Sequence, residues 1–384
     1  MILSLFVYSF LAIILWALAK DQLSSRLKHN SFLMNTFWTW QNLISILLFG
    51  LVYGIRYNVG VDNLMYIKIY EDLKHGIVIR SDTLEAGYQL IQQTCVNTGF
   101  HYSIFIGFWG AVQLGLIYYA MRRDKYLLPL IALFIILGPT WLRLANIMRQ
   151  AVVECAFVLL IQFVVDKKMW KYIIGVLLCT LVHKSAILLL PFYFIFQKPI
   201  FPKNKWIGIG CIISCTIIGM TPIWIQSMTF IEVVLSFLGY QDYTDNFTEI
   251  MKDQNNFRAW GPARAGLWFL YILIVWHYLI LRRKFNFDKR FDIYFECFFF
   301  GTCMYELFAN TSQIFIRPLS YFQSFSIVVV PICIYYSWKA KRHLIYYILC
   351  FLAFFNSYWW TIKAYIGNGL GEKAPEVYKF FFLQ

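Results

Sequence analysis

The stretch "LANIMRQAVVECAFVLLIQFVV", residues 144–165, decides the fold, because it is long and apolar enough to cross a bilayer yet carries charged residues. Eleven other apolar segments lie near residues 2–19, 37–55, 102–120, 126–140, 170–183, 185–197, 206–223, 264–281, 291–309, 318–338 and 343–360. Only 14% of the 384 residues are charged, whereas soluble domains average about 25%. We predict an all-α polytopic membrane protein with about 10–12 transmembrane helices.

Three of these segments, 126–140, 170–183 and 185–197, are shorter than the roughly 20 residues that a straight span needs. We interpret them as broken or re-entrant helices. The remaining chain shows no repeat and no soluble domain, so we predict one integral membrane domain over 1–384. Two long loops interrupt it: 56–101, with an amphipathic helix, and 223–263, with an interfacial helix and a cap.

The charge pattern predicts the orientation. Segments 20–30, 121–126, 166–171, 197–206, 282–292 and 339–343 hold 20 of the 34 Lys and Arg residues, and such short basic loops lie in the cytoplasm. The amino terminus and both long loops are then outside. The net charge of +14 lies on the inner side, where it faces anionic lipid, so it does not indicate nucleic acid. The cysteines lie mostly within spans and form no metal-binding pattern.

Two polar groups lie in the first outer loop. "YGIRYNVGVDNLMY", residues 53–66, places Arg56 and Asp62 at the end of a span, and "EAGYQLI", residues 85–91, contains Glu85. Arg56 is as compatible with a snorkelling anchor as with a ligand-binding residue. Glu85 alone fits a capped surface helix.

A stripe of polar residues covers the start of the span at residues 144–165. In "WLRLANIMRQAVVECA", residues 141–156, polar residues recur every three or four positions, which predicts one helical face. They are Arg143, Asn146, Arg149 or Gln150, and Glu154. An Arg–Glu pair inside a membrane can be structural, but four polar residues on one stripe favour a wet cavity.

Two further positions add polar residues at the outer ends of spans. His183 and Lys184 lie between two short apolar segments, and histidine suits proton transfer near neutral pH. Arg317 precedes Pro318, and Tyr321 follows one turn later, which alone fits an ordinary helix start. Arginine binds phosphate in a bidentate manner. We therefore predict an outer diphosphate site built from Arg56, Arg149, Arg317 and either Arg258 or Arg264.

Five ordered motifs resemble a known family. They are "YGIRYNVGVDNLMY", "EAGYQLI", "NIMRQAVVECAFVLL", "LVHKSAILLLPFY" and "RPLSYF", which span roughly residues 50–325. The set is similar to that of the EpsG family of Wzy-type polysaccharide polymerases, with Val61 as one departure, because a small or hydroxyl residue is commoner there.

The resemblance implies a GT-C-like or Wzy-like helical bundle in the bacterial plasma membrane. It implies transfer of a growing glycan from undecaprenyl diphosphate to the next lipid-linked repeat unit at the outer face, without cofactor or metal. Other assembly proteins, such as a flippase or a chain-length regulator, are expected partners. The expected catalytic residues are His183, Arg149, Asp62 and Glu85; the expected substrate-binding residues are Arg56, Arg317, Asn146, Gln150, Lys184, Tyr321 and Arg264.

Three other functions remain open from the residues alone. A flippase of lipid-linked sugars would place polar residues deeper, as Glu154 and Glu296 suggest. An acyltransferase would need its histidine near a cytoplasmic acyl donor. A glycosyltransferase using a lipid-phosphate sugar would often hold a metal with acids of the first outer loop, which contains Asp62, Glu71, Asp72, Asp82 and Glu85.

Overall fold

The structure is a computed structural model that describes residues 2–28, 37–60, 62–77, 84–138, 141–198, 204–221, 224, 261–311, 313–366 and 378–383. Across these residues the regular elements are helices, and the only β-type pairing is an isolated bridge between Arg56 and Phe380. The all-α prediction is therefore confirmed. The predicted helix and cap of 223–263, including Arg258, lie outside the described residues apart from Trp224 and residues 261–263.

The first α-helices are α1 (Ile2–Lys28), α2 (Trp40–Gly54), α3 (Asn63–Lys74), α4 (Ala86–Asn97), α5 (Tyr102–Ala120), α6 (Leu128–Leu137), α7 (Trp141–Asn146), α8 (Met148–Val165), α9 (Met169–Thr180) and α10 (Phe192–Ile195). The later ones are α11 (Lys205–Gly219), α12 (Pro262–Phe285), α13 (Lys289–Phe308), α14 (Gln313–Gln323), α15 (Ser326–Lys339) and α16 (His343–Ile366).

Five stretches of the described chain are long and apolar enough to cross a membrane, namely Leu3–Ser24, Tyr102–Ala120, Met148–Val165, Arg264–Phe285 and Ile316–Lys339. Six apolar helical stretches of 10–17 residues accompany them: Trp40–Gly54, Lys125–Leu137, Met169–Thr180, Lys184–Ile195, Lys205–Gly219 and His343–Phe355. The chain is thus a polytopic membrane protein.

The two short apolar segments on either side of His183 do not form one continuous helix. Helix α9 ends at Thr180, a 3₁₀ helix follows over Lys184–Leu189, and α10 covers only Phe192–Ile195. His183 lies in the break with extended backbone angles. The stripe at 141–156 is also broken, because Ile147 separates α7 from α8. The prediction of one continuous helical face there was wrong, and the side chains described below explain why.

The chain divides into two compact units, one formed by Met1–Lys198 with Ser326–Gln384 and the other by Pro199–Phe325. In the first unit, glycines let α2 and α5 pack closely. A β-carbon at Gly50 would lie 2.8 Å from the Gly107 carbonyl oxygen, which is the contact that small residues permit between membrane helices. In the second unit, α13 packs against both α11 and α14. The single domain over 1–384 stays a prediction.

Candidate functional site

One carboxylate gathers residues from three separate parts of the first unit. Glu85, directly before α4, is only 5% exposed. Its Oε2 accepts a hydrogen bond from Arg149 Nη1 at 2.5 Å, and its Oε1 accepts one from the Lys184 backbone N–H at 3.0 Å. The ring nitrogen Nδ1 of His183 lies 3.3 Å from the same Oε1. We call Glu85, Arg149 and His183 the carboxylate cluster.

The charge state of Glu85 fixes the tautomer of the histidine. Burial raises the pKa of the carboxyl, but hydrogen bonds from His183 and the Lys184 amide, with the charge of Arg149, outweigh it and lower the pKa to about 2. The ionised carboxylate can only accept hydrogen bonds. The neutral form of His183 would therefore carry its proton on Nδ1, which leaves the Nε2 lone pair as the proton acceptor.

The start of α4 is held near the cluster by hydrogen bonds to the residue that follows α9. The amides of Gly87 and Tyr88, at the start of α4, donate to the Leu181 carbonyl at 2.9 and 3.1 Å. A β-carbon at Gly87 would lie 2.9 Å from both the β-carbon and the carbonyl oxygen of Leu181. Glycine therefore permits the close approach that brings Glu85 to Lys184.

Two tyrosines surround the guanidinium of Arg149. Its charge acts to lower the pKa of the Tyr66 hydroxyl on α3, and it lies 5.4 Å from the centroid of the Tyr88 ring, within cation–π range. Tyr88 in turn stacks on Trp109 with centroids 5.6 Å apart. Burial raises the pKa of Tyr66 to about 12 and that of Tyr88 well above its ordinary value. Both phenols are therefore neutral, and Arg149 keeps its full charge.

An ion pair closes the break between α7 and α8. Arg143 Nη1 donates to Glu154 Oε2 at 2.8 Å, and Glu154 is fully buried. In a continuous α-helix, residues 11 apart are separated by about 16 Å along the axis, which is too far for a direct contact between these side chains. The pair therefore requires the helix to be interrupted between Arg143 and Glu154.

The carbonyls at the end of α7 are satisfied by side chains of α2 and the residues after it. Tyr53 donates its hydroxyl to the Leu144 carbonyl at 2.8 Å, and Arg56 Nη2 donates to the Ala145 carbonyl at 2.6 Å. Backbone groups freed by a break inside a membrane need such partners. The break is thus stabilised by residues distant in sequence.

Asn146 connects the break to the turn before α3. Its Oδ1 accepts the backbone N–H of Asp62 at 2.8 Å. Gly60 adopts φ +88° beside Asn146, a conformation that glycine favours. Asp62 and Asn146 are both half-buried. This contact brings two of the predicted site residues together.

Arg56, which the sequence predicts to bind the diphosphate, is covered by the protein. Its side chain is fully buried, its guanidinium lies 3.6 Å from the centroid of the Tyr53 ring, and its Nη2 bonds to Ala145. It supports the break between α7 and α8, next to the carboxylate cluster, so direct contact with substrate would require the side chain to be uncovered.

The second unit holds its own polar cluster. Arg264 Nη2 donates to Glu306 Oε2 at 3.3 Å, and Trp268 Nε1 donates to the Thr216 hydroxyl at 3.1 Å. The same hydroxyl lies 3.5 Å from Glu306 Oε2. The sequence predicts Arg264 as a phosphate ligand. In the structure it is paired with a buried carboxylate, which offsets part of its positive charge.

The other predicted residues have varied surroundings. Arg317 is exposed and Tyr321 is buried, both on α14 of the second unit. Gln150 is buried beside Arg149, and the side chain of Lys184 is exposed. The structure brings together Glu85, Arg149, His183 and Lys184, and joins Asp62 with Asn146. The roles predicted for all of these residues stay predictions.

Sequence reasoning missed Tyr66, Tyr88 and the Leu181 carbonyl. Tyr66 and Tyr88 lie within quoted motifs, and Tyr88 follows Glu85 at a helical spacing that could have indicated it. A backbone carbonyl leaves no such signal.

The described residues contain no group of three or more His, Cys, Asp or Glu side chains placed to hold a metal ion. Asp82, one of the acids considered for a metal site, is outside that range. The carboxylate cluster itself combines one carboxylate with one imidazole and a guanidinium, and the guanidinium suits an anionic substrate.

The fold is that of a polytopic helical membrane protein, and buried Glu85 brings a guanidinium and an imidazole together at one point. The EpsG family model matches residues 39–370. The chain belongs to the EpsG family, and this membership indicates a polysaccharide polymerase-like function. No curated protein and no solved structure matches the chain at a significant level.

Proposed function

We propose that the protein joins lipid-linked oligosaccharide repeat units by transferring a glycan from undecaprenyl diphosphate to a sugar hydroxyl. The observation that carries the proposal is the position of Glu85, whose carboxylate holds Arg149 and His183 at one point. A cation and a proton acceptor are the two groups that such a transfer requires.

Arg149 binds the diphosphate of the donor in this proposal. A guanidinium has five N–H donors, and the contact with Glu85 is made through Nη1. The Arg149 side chain is 20% exposed, unlike that of Arg56. Negative charge on the leaving diphosphate increases as the glycosidic bond breaks, and a fixed guanidinium stabilises it.

His183 accepts the proton of the attacking hydroxyl. The acceptor oxygen forms a bond to the anomeric carbon of the donor sugar, the bond from that carbon to the diphosphate oxygen breaks, and the lipid diphosphate leaves with the electron pair. The hydroxyl proton passes to Nε2. Glu85 orients the ring through Nδ1 and stabilises the imidazolium that forms.

The remaining predicted residues have supporting roles. Asn146, Gln150 and Lys184 lie beside the cluster along the chain and would position sugar or phosphate groups, and Asp62 would orient them through Asn146. Arg317, Tyr321 and Arg264 belong to the second unit, and their substrate-binding roles stay predictions. No cofactor is required by this reaction.

The proposed location is the outer face of a bacterial plasma membrane, with the amino terminus and both long loops on the outer side. The asymmetry of Lys and Arg supports this orientation. Donor and acceptor would arrive by lateral diffusion in the lipid. Capsule, O-antigen and exopolysaccharide are the candidate products.

A flippase of lipid-linked sugars is the alternative of a different class. Its best support is a buried acid inside a span, since such residues often mark a transport path. Glu154 is such a residue, but Arg143 pairs with it at 2.8 Å and the pair closes the α7–α8 break. This contact accounts for Glu154 without a transport path.

Replacing Arg149 tests the proposal. Arg149→Ala should abolish polymer, a loss of at least about 100-fold, while the protein still inserts into the membrane. Polymer length is measured on gels, and insertion by membrane fractionation. Lys68→Ala is the matched control, because Lys68 is an exposed cation on α3 and should keep full activity. Full-length polymer from Arg149→Ala would contradict the assignment.

A further inference from the structure

Residues 378–383 form a short segment that lies beyond residue 370, where the family match ends. We call this segment the strap. It lies across the end of α2, where Phe380 forms an antiparallel bridge with Arg56. Tyr57 donates its amide to the Lys379 carbonyl at 2.8 Å, and Phe381 donates its amide to the Ile55 carbonyl at 3.0 Å.

The strap is anchored by one buried side chain. Tyr378 is 1% exposed, and its hydroxyl donates to the Val52 carbonyl at 2.6 Å. Its amide donates to the hydroxyl of Ser4 on α1 at 2.8 Å, and its ring meets that of Tyr8 edge-on. Phe381 adds a ring contact with His101, with centroids 4.8 Å apart.

These contacts cap α2. The last carbonyls of a helix have no partner within it. Those of Val52 and Ile55 receive their hydrogen bonds from the strap. The strap therefore replaces the turn that α2 would need to end inside an apolar environment, and it fixes the backbone of Arg56.

The end of α2 in turn caps α7. Tyr53 and Arg56 donate to the Leu144 and Ala145 carbonyls, immediately before the break. Arg149 lies three residues after Asn146, on the other side of the break. Two successive caps thus connect the strap to the guanidinium that contacts Glu85.

We infer that the strap is a positioning element for the carboxylate cluster, acting through Arg56 and the end of α7. The structural part of this inference, the coupling of the strap to the α7–α8 break, does not depend on the proposed function. Its catalytic part, control of Arg149, rests on the proposed function.

Hydrogen exchange tests the structural part on the full-length protein in lipid. Replacing residues 378–383 with a Gly-Ser sequence should accelerate amide exchange both at 52–57 and at 144–150. Tyr378→Phe removes one hydrogen bond and keeps the ring, so about fivefold faster exchange is expected at both places. Phe382→Ala is the control, because Phe382 belongs to the strap but is 59% exposed.

Acceleration at 52–57 alone, with unchanged exchange at 144–150, would overturn the coupling. The catalytic part is measured per folded molecule: Tyr378→Phe should lower kcat about fivefold with KM for the lipid-linked unit nearly unchanged. A variant that only folds less well would keep both constants. If the wild type makes no polymer, the proposed function fails while the exchange result still decides the coupling.

Discussion

At the scale of single residues, Glu85 is the centre of the site, and its charge limits what it can do. A carboxyl group whose pKa is lowered to about 2 is a weak proton acceptor near neutral pH. Of the acid–base candidates that the sequence suggested, Glu85 is thus better suited to orienting His183 and Arg149 than to moving a proton. His183, whose ring contacts Glu85 through Nδ1 and not through Nε2, is the stronger candidate base.

Glu85→Gln should lower the free energy of unfolding by roughly 3 kcal/mol at pH 7, because it leaves Arg149 without its carboxylate. The folded pKa of Glu85 lies below its ordinary value of about 4.3. The stabilisation is therefore present above that pH and is lost as the pH falls towards 2. Thermal unfolding between pH 7 and pH 2.5 measures it.

The difference between wild type and Glu85→Gln should shrink over this acid range, whereas Glu71→Gln, at an exposed ion pair on α3, should change stability little at any pH. A constant difference from pH 7 to pH 2.5 would show that the ionised carboxylate does not provide the stabilisation.

At the scale of elements, two breaks in apolar helices build the site. The α9 break frees the Leu181 carbonyl to cap α4 and presents the Lys184 amide to Glu85. The α7–α8 break lets Arg143 reach Glu154. Both breaks depend on close contact with another element, which a single added methyl group can disturb.

Gly87→Ala should separate α4 from Leu181, since its β-carbon would meet that residue at 2.9 Å. We expect a loss of about 1–3 kcal/mol in stability from overpacking and a larger loss of polymerisation, because Glu85 moves away from Lys184. Gly210→Ala is the control, since its β-carbon would meet nothing within 4 Å. For both variants, thermal unfolding measures the stability and polymer synthesis measures the activity.

Equal activity for the two glycine variants would mean that the approach of α4 to Leu181 does not position Glu85.

The sequence predicted one of these breaks and not the other, for a physical reason. The α9 break was expected because the segments around His183 are too short to span a membrane. The break at Ile147 has no proline or glycine to indicate it. It is stabilised by Tyr53, Arg56 and Glu154, and contacts distant along the chain leave no local pattern.

At the scale of the whole molecule, composition was enough to predict an all-α membrane protein, and the ordered motifs were enough to predict the family that the model match confirms. The burial of Arg56 could not be predicted from the sequence, because it depends on contacts with the strap and with the Ala145 carbonyl. The pairing of Arg264 with Glu306 likewise required the fold of the second unit.

Reconstitution with a synthetic undecaprenyl-diphosphate repeat unit tests the central claim most directly. Purified protein in liposomes should yield a ladder of products that lengthen by one unit, with one undecaprenyl diphosphate released per bond. The ladder should persist in a metal chelator and disappear in Arg149→Ala. Lipid-linked units that cross to the other leaflet without lengthening would contradict the claim and support a flippase.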